Sequence, residues 1–156
     1  MGHSTFKGGI HPHKRKRFTR EKPIEIYLPK GELVYPLSQH IGGLAIPVVK
    51  PGERVLEGQL IAEASGFISA NIHASVSGIV KAIEPRMTVS GTSVPSIIVE
   101  NDQLYERVPQ EAVIPWQELE PGERIQKIRD AGIVGMGGAG FPTHVKLSVK
   151  NPKKIR

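Results

Sequence analysis

The sequence predicts a mainly β protein: a sandwich or barrel of short strands, followed by short helices around a glycine-rich loop. Three observations carry this. Thirteen Pro and 17 Gly in 156 residues cut the chain into short apolar runs, which argues against a helix bundle. Between residues 24 and 108 those runs alternate with turn signals such as Pro51-Gly52 and Glu57-Gly58-Gln59. A helix start signal followed by helical spacing appears only near residue 120.

Residues 1–23 read as an extended basic arm, bracketed by Gly8-Gly9, Pro12 and Pro23, with no helical periodicity. Ile24 to Leu28 is expected as the first strand, closed by Pro29-Lys30-Gly31. Strands are expected around Pro47-Val48-Val49, Val55-Leu56, Leu60 to Ala64, Ser69 to Ala74, Val76 to Ile83 and Val94 to Glu100. Residues 109–118 form a linker with Pro109 and Pro115. Glu120-Pro121-Gly122-Glu123 then opens a helix, with Pro at its start and carboxylates in its first turn. Ile125, Ile128 and Ala131 share one face, and Gly132 is a natural stop. A second short helix is expected from Phe141 to about Lys150, with Val145 and Leu147 as its apolar contacts.

The formal charge of +6 is unevenly spread. Residues 1–30 carry eight basic and two acidic residues, residues 31–112 five and nine, and residues 113–156 eight and four. The basic character therefore belongs to the two ends. Lys14-Arg15-Lys16-Arg17 could face nucleic acid, but only Phe18 follows it and no aromatic stacking platform accompanies it. The reading is no nucleic acid; a solvated strap, or contact with an acidic partner or lipid headgroups, is preferred. The chain has no Cys, so it holds no disulfide, thiolate zinc site or cysteine-ligated cluster of its own. His3, His11 and His13 would bind a metal only adventitiously. His40 and His73 have no converging ligands in the sequence, so no metal site is expected.

The most informative segment is Gly135-Met136-Gly137-Gly138-Ala139-Gly140-Phe141-Pro142-Thr143-His144-Val145-Lys146. Four glycines in six residues leave backbone N–H groups bare to a ligand. A helix start and a Lys follow, a design suited to phosphate. The segment fits G-x-G-x-x-G, yet a helix rather than a strand precedes it, and no Gly-Lys-Ser/Thr makes it a Walker loop. A plain glycine-rich turn between two helices is the structural alternative.

The order of turns and strands in residues 47–83 resembles the biotinyl/lipoyl-type barrel-sandwich domain. A carrier of that type needs a Lys at its hairpin tip. The tip falls near Phe67, where Ser65-Gly66-Phe67-Ile68-Ser69 offers none, so the fold is read as a reused scaffold. The glycine loop resembles the flavin and NADH loop of the NADH-binding flavoprotein subunit of respiratory complex I. Lys7 to Pro12, Pro36 to Gly42 and Ala70 to Gly78 resemble the C subunit of the Rnf-type electron transport complex. In that family a barrel-sandwich domain precedes the flavin domain.

The resemblance implies a fold and a function. The fold is mainly β: a barrel-sandwich hybrid domain over residues 24–108, then the helical start of a truncated α/β FMN/NADH-binding domain over 119–156. The function is that of a peripheral subunit on the cytoplasmic face of a membrane, passing electrons between NAD(H) and ferredoxin, coupled to ion translocation. It implies FMN, NAD(H) and two 4Fe-4S clusters, the clusters on cysteines downstream of Arg156. It implies membrane subunits as partners, with ferredoxin or a flavin or iron–sulfur subunit. By motif match, Gly135, Gly137 and Lys146 would line the FMN phosphate and ribityl region. Gly138 and Phe141 would face NADH, and Gly140 completes the loop. Met136 stands where the complex I subunit commonly has Arg. As an N-terminal fragment, the chain alone is expected to bind FMN weakly or not at all. The alternative is a non-catalytic barrel-sandwich adaptor that binds other proteins.

Overall fold

A computed structural model describes residues 15–110 and 114–149. Among these residues seven strands form two antiparallel sheets. They are β1 (Glu32–Pro36), β2 (Ile46–Pro47), β3 (Arg54–Val55), β4 (Leu60–Glu63), β5 (Ile72–His73), β6 (Gly78–Met87) and β7 (Ser93–Asn101). One sheet has the order β1-β7-β6-β3, the other β2-β4-β5. The architecture is the mainly β barrel-sandwich that the sequence predicts.

The core explains the arrangement. Tyr35, Val55, Val80, Ile97 and Val99 of the larger sheet form one buried cluster with Ile61, Ala62 and Ile72 of the smaller. The central strand β7 is buried on both faces from Ser96 to Val99, and burial of these branched side chains is the main stabilising term. Most strands are short because the turns recur so often. The exception is the long β6–β7 hairpin, which runs from Gly78 opposite Asn101 to Met87 opposite Ser93 and bulges between Val80 and Ala82.

Three local expectations are corrected. Ile24–Leu28 is not a strand: it pairs with no neighbour, and all five side chains are exposed. The first strand is instead Glu32–Pro36, which pairs with β7 from Glu32 opposite Glu100 to Pro36 opposite Ser96. Ile24–Leu28 carries the clearer alternation, yet Glu32-Leu33-Val34-Tyr35-Pro36, an apolar run after one carboxylate, is the segment that finds a partner strand, which no local signal announces. In the arm, Lys16–Phe18 form a single 3-10 turn, with the Arg17 guanidinium 4.4 Å above the Phe18 ring. The second helix is one short element, Thr143–Leu147, and Leu147 is exposed. Residues 1–14, with the histidines and Lys7 to Pro12, lie outside the described residues, as do 111–113 and 150–156.

The first helix, α1 (Pro121–Asp130), starts as expected. Glu120 and Glu123 form a reciprocal capping box, with the Glu120 N–H donating to Glu123 Oε2 at 2.8 Å. Arg124 folds back to donate from Nε to the Leu119 carbonyl at 2.8 Å and lies 5.6 Å from the Trp116 ring. Ile125 and Ile128 are half-buried and Ala131 is exposed, so the expected face is only partly covered. Gly132 stops the helix with φ +65°, and a Cβ there would collide with the Asn71 carbonyl. The second helix, α2 (Thr143–Leu147), packs against α1.

Candidate functional site: the glycine-loop cleft

The glycine loop is pinned at both ends. Val134 bridges Pro142, the Gly135 N–H donates to the Phe141 carbonyl at 2.9 Å, and the Thr143 N–H donates to the Ile133 carbonyl at 2.9 Å. Gly140 turns the chain with φ +64°. A Cβ there would stand 2.7 Å from the Gln39 carbonyl oxygen and 3.0 Å from His40 Cα. This glycine is therefore required by the fold: it lets the loop press against the segment after β1.

Gly137 and Gly138 differ. Neither has positive φ, and a Cβ at either would meet nothing within 4 Å. The fold does not call for glycine there. Their bareness is free for close approach of a ligand to the backbone, which is what a phosphate cradle requires. At Gly135 a Cβ would lie 3.1 Å from Lys146 Nζ, so the missing side chain lets the cation sit against the loop. Lys146 Nζ is also 5.7 Å from the centre of the Phe141 ring. Among the predicted residues, Gly135, Lys146 and Phe141 thus converge. Gly135, Gly138 and Gly140 line a cleft of about 640 Å³, a size suited to a small-molecule ligand. Gly137, Phe141 and Lys146 are not among its lining residues.

The donor set suits a phosphate group: bare N–H groups beside a lysine. It does not extend to iron–sulfur clusters, because the chain has no Cys, and the described residues contain no group of three metal-ligating side chains.

The other wall of the cleft comes from residues with no ligand-binding signal in the sequence. Pro36, Ser38, Gln39, His40 and Ile41 line the cleft from the β-unit, and Thr88, Val89 and Ser90 from the β6–β7 turn. Pro36–Gly42 stands out in the sequence as a motif, but without a role. No local signal marks residues 88–90.

His40 holds its wall in place. The buried ring accepts at Nε2 from the Ala70 N–H at 3.2 Å and donates from Nδ1 to the Ile41 carbonyl at 3.1 Å. Both ring nitrogens are thus satisfied by backbone groups. The loop at residues 64–71 docks the helical segment onto the β-unit. The Asn71 side chain accepts from the Ala64 N–H at 2.9 Å and donates to the Asp130 carbonyl at 3.1 Å. His144 Nε2 donates to the Phe67 carbonyl at 2.9 Å. The tip that would carry a lysine in a carrier domain is here a docking point.

Residues 4–104 match the family model of the RnfC barrel sandwich hybrid domain. The chain is 45% identical over 156 residues to the C subunit of the Na(+)-translocating ferredoxin:NAD(+) oxidoreductase complex of Acetobacterium woodii, covering 98% of this chain and 35% of that protein. It is 43% identical over 154 residues to the C subunit of the proton-translocating ferredoxin:NAD(+) oxidoreductase complex of Clostridium ljungdahlii, covering 97% of this chain and 33% of that protein. It is 43% identical over 144 residues to the C subunit of the ion-translocating oxidoreductase complex of Vibrio cholerae, covering 91% of this chain and 19% of that protein. The chain thus spans about a third or less of the length of these relatives. With the family match over most of its length and the barrel-sandwich fold beneath it, the chain belongs to the family of RnfC subunits of Rnf-type complexes.

Proposed function

We propose that this chain is the N-terminal part of an electron-transfer subunit in a membrane-bound NADH/ferredoxin oxidoreductase complex. In this reading residues 24–108 are the barrel-sandwich domain, and residues 119–156 begin an FMN/NADH-binding domain. The observation that carries it is the open backbone at Gly137 and Gly138 beside the Gly135–Lys146 contact. Bound FMN would supply the exchange between two-electron and one-electron chemistry. The residues of this chain bind and orient. Gly135, Gly137 and Lys146 hold the phosphate and ribityl end, and Gly138 and Phe141 face the dinucleotide. Gly140 fixes the loop against the β-unit. The 4Fe-4S clusters belong on cysteines elsewhere in the subunit, and partner subunits complete the ion-translocating path. The place assigned to the subunit is peripheral, on the cytoplasmic face of the membrane. Among the described residues no helix is long and apolar enough to cross a membrane.

The test is the flavin content and NADH affinity of the full-length subunit. Lys146→Ala, by loss of a charge-assisted contact, and Gly137→Val, by a side chain over the open backbone, should each lower bound FMN about tenfold or more, with the fold intact by circular dichroism. Full flavin content in both variants would sink the reading.

The adaptor reading is favoured by one observation: Ile24, Ile26, Tyr27 and Leu28 expose large apolar side chains along an unpaired stretch, a feature of protein-docking segments. A full-length subunit with no nucleotide affinity would decide for it.

A further inference from the structure

The second wall of the cleft has a chemistry of its own. At the β6–β7 turn, Thr88 Oγ1 lies 2.8 Å from Ser90 Oγ and donates to the Thr92 carbonyl at 2.9 Å. Ser90 Oγ lies 2.9 Å from Thr92 Oγ1. Each hydroxyl has one donor and two acceptor sites. The cluster orients these groups at the cleft and keeps acceptor capacity for a ligand hydroxyl. Between Thr88 and Ser90 stands Val89, 110% exposed, and the glycine loop contributes Met136, 98% exposed, to the same cleft. Single exposed apolar residues are ordinary. Two fully exposed ones, on separate elements lining one cleft beside bare N–H groups and a hydroxyl cluster, match a specific ligand type. That type has a flat apolar ring, sugar hydroxyls and phosphate.

We propose that the Thr88–Ser90 turn is the second half of the dinucleotide site. Thr88 and Ser90 take ribose hydroxyls of NAD(H), and Val89 with Met136 covers a base, on the side of the cleft that Gly138 lines. The inference rests on the nucleotide reading above and goes beyond it. It makes the barrel-sandwich unit a contributor to substrate binding, where the sequence reading treats it as a scaffold. The long hairpin explains how a β-unit residue reaches the loop: ten residues of β6 extend the turn to the glycine segment. The short pairing of β3 with β6 at Arg54 and Val55 leaves that far end free of β3.

The experiment measures NADH dissociation constants by calorimetry, with flavin content and melting temperature, on the full-length flavin-loaded subunit. The variants are Thr88→Ala/Ser90→Ala and Val89→Asp. The double variant should weaken NADH about tenfold, the worth of two modest hydrogen bonds. Val89→Asp should weaken it further, because a charged, solvated carboxylate replaces the apolar cover on the base. Flavin content and melting temperature should stay at the unaltered values. Unchanged NADH affinity in both variants, or loss of flavin with NADH affinity kept, would overturn the proposal. If the unaltered subunit binds neither FMN nor NADH, the nucleotide reading itself fails, a result distinct from failure of the hairpin's role.

Discussion

His144 and Phe67 lock the helical segment onto the β-sandwich through backbone and ring at once. The imidazole Nε2 donates to the Phe67 carbonyl at 2.9 Å, and the two rings meet edge to face, 6.0 Å between centroids at 86°. His144 is 3% exposed, so its partners are protein groups and its loss is not made good by water. The contact sets the position of α2, and with it the Lys146 that approaches Gly135.

The two halves of that contact are separable. His144→Ala removes the donor, the ring packing and buried volume, and should cost about 2–3 kcal/mol in denaturant unfolding. Phe67→Ala keeps the carbonyl and loses only an edge-to-face contact at an exposed ring, so about 1 kcal/mol or less is expected. Equal costs would show that the ring, not the hydrogen bond, carries the junction.

The glycines of the loop should divide by role. Gly140→Ala forces a Cβ into a left-handed backbone and against Gln39 and His40, and should destabilise by about 1–3 kcal/mol. Gly138→Ala meets open space and should leave the melting temperature essentially unchanged while lowering nucleotide affinity. The check is thermal unfolding beside ligand titration. A thermal loss at Gly138 matching that at Gly140 would contradict the division.

His73 gives an acid-side pH dependence. Partial burial lowers its pKa below the ordinary 6.5. The unfolded chain then binds the proton more readily than the folded one, so its contribution to stability is whole above pH 6.5. Stability should fall as the pH drops through 6.5 and level off below the folded pKa. Urea midpoints measured on both sides of that pH should show this slope, and His73→Gln should flatten it.

Asp102 acts at lower pH. The Ser77 hydroxyl at 2.6 Å, the Leu104 N–H at 2.9 Å and the Arg54 guanidinium at 3.2 Å hold its carboxyl below the ordinary 3.8. A depressed carboxyl adds stability that is present above 3.8 and lost as pH falls through the folded pKa. Ser77→Ala should move the Asp102 titration up toward 3.8 in a carbon-13 NMR experiment. A titration that stays put would assign the shift to Leu104 and Arg54 instead.

Sequence alone determined the β character of the chain, the turn positions, the start of α1, its stop at Gly132 and the glycine loop. These depend on composition, turn chemistry and capping, which act within a few residues. It also determined that residue 67 carries no cofactor lysine. Only the tertiary structure decided that Glu32–Pro36, and not Ile24–Leu28, becomes a strand. Both are short and rich in apolar residues, and pairing with β7, a contact far along the chain, is what makes Glu32–Pro36 the strand. Tertiary structure alone also separates Gly140, which the fold requires, from Gly137 and Gly138, which it does not, because the atoms that decide belong to Gln39 and His40. The wall at Thr88–Ser90 lies far along the chain from the loop it faces. No short-range pattern encodes that approach; the length of the hairpin and the docking of the helical segment bring both to one cleft.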